Sequence, residues 1–176
     1  MSGDTSPGPT SRDSSVGQSG AGGSHLAPFF ATWLDTFIFN GQLDPQLREV
    51  AVLRIMWRCG QAFEWGNHYR LARQAGLDRD EILAVRSTSP DRDLPHERAL
   101  MVRAADEIVD GGQVRESTFA AVRKVFPDPA HQQEFLYLLG GYRMFASVSA
   151  TFGPRGEAPG KQLWPPDGVA PTAGAS

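Results

Sequence analysis

DPQLREVAVLRIMWRCGQAFEWGNHYRLARQAG, residues 44–76, decides the fold. Asp44 can cap the free amides of a helix whose first position falls to Pro45, where a missing N–H costs nothing. Leu47, Val50, Ala51, Val52, Leu53, Ile55, Met56 and Trp57 then cover most of that helix's circumference. A helix apolar on nearly every side belongs at the centre of a fold. Only Arg48, Glu49, Arg54 and Arg58 interrupt it. Gly60 ends or kinks it, residues 62–75 carry a second helix, and Gly76 serves as the C-cap of the second.

On either side of this pair the periodicity stays helical. Upstream, LAPFFATWLDTFIFN places Phe29, Trp33 and Phe37, and also Phe30 and Leu34, at helical spacing, and Asn40-Gly41 reads as the stop. Downstream, Asp78 and Glu81 stand at capping-box spacing before a short helix through Arg86. STSPDRDLP, residues 87–95, reads as a loop. Pro95 opens a further helix closed by Gly111-Gly112, and another follows near residues 116–125. Asp128-Pro129 repeats the start signal of Asp44-Pro45 and launches a long apolar helix to about Phe152, interrupted at Gly140-Gly141. No segment alternates as a strand does, so the expected fold is all-α, with six or seven helices.

Composition limits what such a domain can do. The first 24 residues are Ser, Gly, Pro, Thr and Asp with almost nothing to bury, and residues 154–176 are Pro- and Gly-rich. Both read as tails, the first disordered, around one helical domain over residues 25–153. Leu163 and Trp164, alone in the second tail, either dock on a folded surface or stay loose. The net charge is -3 with 17 scattered basic residues, which gives no footprint for nucleic acid. No apolar run is long enough to span a bilayer, and the N-terminus lacks the pattern of a signal peptide, so a cytoplasmic protein is expected. A single cysteine, Cys59, excludes a dithiol couple within one chain.

The candidate chemistry is crowded into residues 44–76. Gln61, Glu64 and His68 stand at i, i+3 and i+7 and share one helix face. Glu64 and His68, one turn apart, either hydrogen-bond for function or lie on a solvated face. Glu49 sits inside the most apolar helix, either ion-paired, with Arg48, Arg54 or a residue of a neighbouring helix as partner, or held for proton transfer with a perturbed pKa. Cys59 reads equally as a small buried residue and as a nucleophile beside a base. A metal site is the weakest reading, since Glu64 and His68 lack a second histidine or an HExxH motif.

DPQLREVAVLRIMWRCGQAFEWGNHYRLARQAGLDRDEI, residues 44–82, resembles the core of the carboxymuconolactone decarboxylase and alkylhydroperoxidase D-like family, in particular the members with FEWxxH followed by an AGL turn. GGYRMFA, Gly140 to Ala146, is similar to the helix that closes that domain. The resemblance implies an all-helical domain that assembles as a homo-oligomer, a trimer or hexamer, with the site near a subunit interface. In the peroxidase branch the site is a CxxCxxxH helix preceded by a glutamate. By that resemblance His68 matches the histidine, Glu64 the second cysteine, Gln61 the first, and Glu49 the upstream glutamate. The proton-handling pair is present and both redox cysteines are absent, so dithiol peroxide reduction has no resolving thiol here.

The decarboxylase side of the family is the closer resemblance. It implies loss of CO2 from a lactone acid, a reaction that needs no metal or redox cofactor, only stabilisation of a developing enolate and a proton delivered to carbon. His68 would deliver or relay the proton, Glu49 and Glu64 would orient it, and Gln61, Tyr142 and Arg143 would line the substrate. The expected function is a cofactor-independent lyase or isomerase acting on a small oxygenated acid or lactone. The alternatives are a peroxidase working through Cys59 alone with an external thiol, and a non-catalytic oligomeric binding protein of the same fold.

Overall fold

The computed structural model describes residues 25–152 and Val169, and the expectations for the two tails, Leu163 and Trp164 included, lie outside them. The described residues contain helices and no strand. The chain divides into two compact units between Asn40 and Gly41.

In the first unit, α1 spans Ala27–Leu34 and continues as a π-helical turn over Asp35–Phe39. The wider turn closes with the Asn40 amide donating to the Asp35 carbonyl at 2.9 Å. Regular α spacing suggested by Phe29, Trp33 and Phe37 thus gives way in the last turn, a change of one residue per hydrogen-bonded ring that apolar periodicity does not register. Phe29 meets Phe30 edge to face, and Trp33 lies against Phe37.

In the second unit the central helix is α2, Pro45–Arg58. Asp44 Oδ1 accepts from the amides of Gln46 and Leu47 at 2.9 and 3.0 Å, so one side chain satisfies two of the free N–H groups. Every residue from Leu47 to Met56 is buried, which needs neighbours all round; the helices Ala62–Gln74, His96–Gly111 and Pro129–Phe152 supply them. Asp44→Ala is expected to cost about 1 kcal/mol, and up to ~2, read as a lower urea midpoint. Asp128 Oδ1 caps a single amide, that of Ala130, so Asp128→Ala is expected to cost less.

Two glycines turn the chain. Gly60 (φ 68) follows α2, and Gly76 (φ 97) follows α3, Ala62–Gln74. At each, the glycine amide bonds back to Trp57 or Arg73, and the next amide bonds to Met56 or Ala72. That is the paired closure in which a left-handed residue satisfies the last helical carbonyls, and it suits glycine because no Cβ is strained. The first turn folds α3 back on α2, so residues at comparable distances from Gly60 come to face each other.

The capping box at α4, Arg79–Ala84, is present with both reciprocal bonds between Asp78 and Glu81. The stretch 87–95, read as loop, contains a one-turn helix, α5, Pro90–Asp93, with proline at its first position and the Leu94 amide on the Pro90 carbonyl. It brings the described α-helices to eight, one more than the upper expectation. Next comes α6, His96–Gly111, ended by Gly112 at φ 73. Arg54 ties α2 to α6 through Asp106 Oδ1 and Oδ2 at 2.6 and 2.9 Å. Its Nη1 also donates to the carbonyls of Val85 and Ser87. Glu107 links α6 to α7, Glu116–Val125, accepting from the Arg115 amide and the Thr118 hydroxyl.

The last helix, α8, runs from Pro129 to Phe152 without a break at Gly140-Gly141. The expected interruption is absent because Leu138, Leu139 and Tyr142 are buried on both sides of the pair. Each buried apolar side chain contributes roughly 1.5–3 kcal/mol, more than the ~1 kcal/mol that a helical glycine costs relative to alanine. No helix among the described residues is long and apolar enough to cross a membrane.

Candidate functional site

Three helices meet in one buried polar cluster. Glu49 comes from α2, His68 from α3 and Tyr142 from α8, with 0%, 4% and 2% exposure respectively. The turn at Gly60 sets the first pair, because α3 doubles back along α2 and lays His68 against Glu49. His68 Nδ1 stands 2.7 Å from Glu49 Oε2, and the Tyr142 hydroxyl stands 2.9 Å from His68 Nε2. The two rings meet edge to face, with centroids 5.0 Å apart. The other carboxylate oxygen, Glu49 Oε1, accepts from Arg48 Nε at 2.9 Å.

The electrostatics assign the protons. Burial pushes the Glu49 carboxyl up, but the charge and hydrogen bond of His68, joined by those of Arg48, outweigh it and hold the group below its ordinary value. A carboxylate can only accept, so Nδ1 carries a hydrogen and donates to it. Burial, reinforced by the negative charges of Glu49 and Glu64 and only partly opposed by Arg48, raises the Tyr142 phenol well above its ordinary value. The phenol therefore keeps its proton, and its contact with Nε2 runs from the hydroxyl when the ring is neutral and from Nε2–H when the ring is protonated. The result is a continuous hydrogen-bonded chain from Tyr142 through His68 to Glu49, with both imidazole nitrogens engaged.

The other sequence candidates lie around this chain. Glu64 is half-buried on the first turn of α3 and accepts weakly from Asn67 Nδ2 at 3.4 Å. His68, one turn on, bonds across to α2 and α8 instead of along its own helix to Glu64. Gln61 folds back on the turn, its Nε2 donating to the Cys59 carbonyl at 3.1 Å. Arg143 is half-buried beside Tyr142 on α8 and donates to the Ser147 hydroxyl one turn on. Among the described residues no group of three His, Cys, Asp or Glu side chains is arranged to hold a metal ion.

Cys59 is half-buried at the end of α2. Burial raises its thiol above the ordinary value, and the nearby charges of Arg143 and Arg58 only partly pull it back. A thiol held in that direction is a poor nucleophile at neutral pH. Its alkylation by iodoacetamide, followed by mass spectrometry across a pH series, is expected to rise with a midpoint above that of free cysteine. A midpoint at or below the free value contradicts this environment.

Arg48 is the member of the cluster that the sequence points to only as a partner for Glu49. The signal was present, since a cation one residue before a carboxylate in the most apolar helix has few places to go, but spacing does not say which of its nitrogens the carboxylate uses.

The family model that matches the chain is described as the carboxymuconolactone decarboxylase family, over residues 25–107. These residues belong to the carboxymuconolactone decarboxylase family. No curated protein and no solved structure matches the chain. The family segment starts before α1 and ends within α6, so it contains Arg48, Glu49, Cys59, Gln61, Glu64 and His68. Tyr142 comes from α8, beyond the carboxymuconolactone decarboxylase match, and supplies the hydroxyl on the imidazole.

Proposed function

We propose that the protein is a cofactor-independent lyase or isomerase acting on a small oxygenated acid or lactone through proton transfer at His68. The observation that carries this reading is the Tyr142–His68–Glu49 chain, a set of hydrogen-bonded ionisable groups sealed in the core of a carboxymuconolactone decarboxylase family domain. In the decarboxylase form, the bond from carbon to a substrate carboxylate breaks, CO2 leaves, and the electron pair passes into the conjugated lactone as an enolate. A proton must then reach carbon. The protonated His68 ring passes its Nε2 proton to the Tyr142 oxygen as that hydroxyl gives its own proton to carbon, which leaves a neutral imidazole, and Glu49 holds the Nδ1 hydrogen and balances the charge of the protonated ring. An isomerase would run the same chain twice, once to remove a proton from carbon and once to return it elsewhere.

The homo-oligomer implied by the family resemblance is part of the proposal, and sedimentation of the full chain decides it. Peroxidase activity through Cys59 alone is the less supported reading, given the raised thiol. A non-catalytic binding protein has one specific observation in its favour, namely that both imidazole nitrogens are already engaged in a ring that is 4% exposed. The test is to incubate the full chain in D2O with a panel of unsaturated lactone acids and follow CO2 release and deuterium at carbon by NMR. Catalysed release or exchange supports the enzyme; no catalysed change in any member of the panel supports the binding protein.

A further inference from the structure

We propose that Arg48 is the anchor for a carboxylate of the substrate, and that this carboxylate is one that the reaction leaves in place. The inference rests on the proton-transfer reading of His68 and adds to it the group that fixes the substrate beside it.

The contrast between two arginines of α2 carries the argument. Arg54 is 6% exposed, and its Nε, Nη1 and Nη2 all donate to Asp106, Val85 or Ser87. That is how this fold treats a guanidinium it uses for structure. Arg48 is buried to the same degree, 8% exposed, and only its Nε is used, on Glu49 Oε1. Among the described residues no acceptor stands on Nη1 or Nη2, and neither atom is sealed from solvent. The open edge carries four N–H groups in one plane, the geometry that takes a carboxylate in two parallel hydrogen bonds. Donors that reach solvent are satisfied by water, which a carboxylate can displace in exchange for two charge-assisted hydrogen bonds.

Its position suits a substrate. Arg48 is hydrogen-bonded to the same carboxylate as His68, and its charge acts on both Glu49 and Tyr142. An acid held on the open edge lies beside the proton chain without displacing any bond in it. The chemistry then says which acid group it is. A carboxylate fixed by two charge-assisted hydrogen bonds is stabilised in the ground state, and losing it as CO2 would forfeit that stabilisation. The anchored group is therefore a spectator. A lyase substrate carries a second carboxylate that departs, an isomerase substrate needs only the anchored one, and in both cases the product is still an anion.

The probes are 5-oxotetrahydrofuran-2-carboxylate and its methyl ester, with binding to the full chain followed by NMR titration. The wild-type chain is expected to bind the acid in preference to the ester by about tenfold or more. Arg48→Met should erase that preference, and Arg48→Lys should restore part of it, since lysine keeps the charge and lacks the fork. Equal binding of acid and ester, or no saturable binding of either, overturns the anchor, and this comparison needs only the wild-type protein should Arg48→Met fail to fold. Arg48-dependent binding of the acid without turnover of any lactone acid leaves the anchor standing and removes the proton-transfer reading. Turnover that is indifferent to Arg48 does the reverse.

Discussion

Replacing His68 with glutamine is expected to lower turnover of a lactone acid by about a hundred- to ten-thousand-fold, the usual contribution of a positioned acid or base, with the fold intact. Glutamine can imitate the hydrogen bonds of the imidazole: its amide N–H donates to Glu49 Oε2 and its carbonyl accepts from the Tyr142 hydroxyl, the two contacts His68 makes. It cannot take up and release a proton near neutral pH. The loss should therefore fall on kcat, while KM holds if the acid group is anchored on Arg48 as proposed. Circular dichroism melts of the two proteins check that the comparison is fair. Activity within a few-fold of wild type would remove His68 from the chemistry.

Glu49→Ala is expected to produce the largest loss of stability, about 3–5 kcal/mol, the cost of removing one partner from a buried ion pair. Glu49 is fully buried, and each of its oxygens accepts from a different side chain, Arg48 and His68. Both donors would be stranded. The effect should depend on pH with a definite sign. The Glu49 carboxyl sits below its ordinary value of 4.5 in the folded protein, so the unfolded chain takes up its proton first as pH falls. The stabilisation is complete above the unfolded value and is lost as pH falls through the lower folded value. Urea midpoints of wild type and Glu49→Gln, compared at neutral pH and through the acid range, should converge below that point. A gap that stays constant with pH contradicts the role of the charge.

The parts of the fold that were legible in the sequence are those governed by interactions within a few residues. Asp44-Pro45, the stops at Gly60 and Gly76, and the Asp78 and Glu81 box are all local hydrogen-bond problems with few solutions, and each stands in the structure as read. Gly140-Gly141 misled because local propensity is a weak preference, and the burial of Leu138, Leu139 and Tyr142 overrides it. The extra turn at Pro90 was hidden by a stretch rich in loop residues. In the site, one-turn spacing pointed from His68 to Glu64, whereas its hydrogen bonds run to Glu49 and Tyr142, on other helices. Helical spacing describes neighbours on one helix; it is silent on which side chains meet across a core. The same silence covered Arg48, whose open edge is visible only once the partners of every nitrogen are known.

The three members of the proton chain are unequally spaced along the polypeptide, and that sets the order in which they can meet. Glu49 and His68 are separated by 19 residues and a tight turn, so their contact can form as soon as α2 and α3 close as a hairpin. Tyr142 is 74 residues from His68 and must wait for the last long helix to dock. Closing the longer loop costs more entropy, and contacts of that range form late. During synthesis, then, the nascent chain would hold a hydrogen-bonded pair buried on one side only, open to water where the phenol will later stand. The final helix does more than finish the core: its arrival is the moment at which the imidazole leaves solvent.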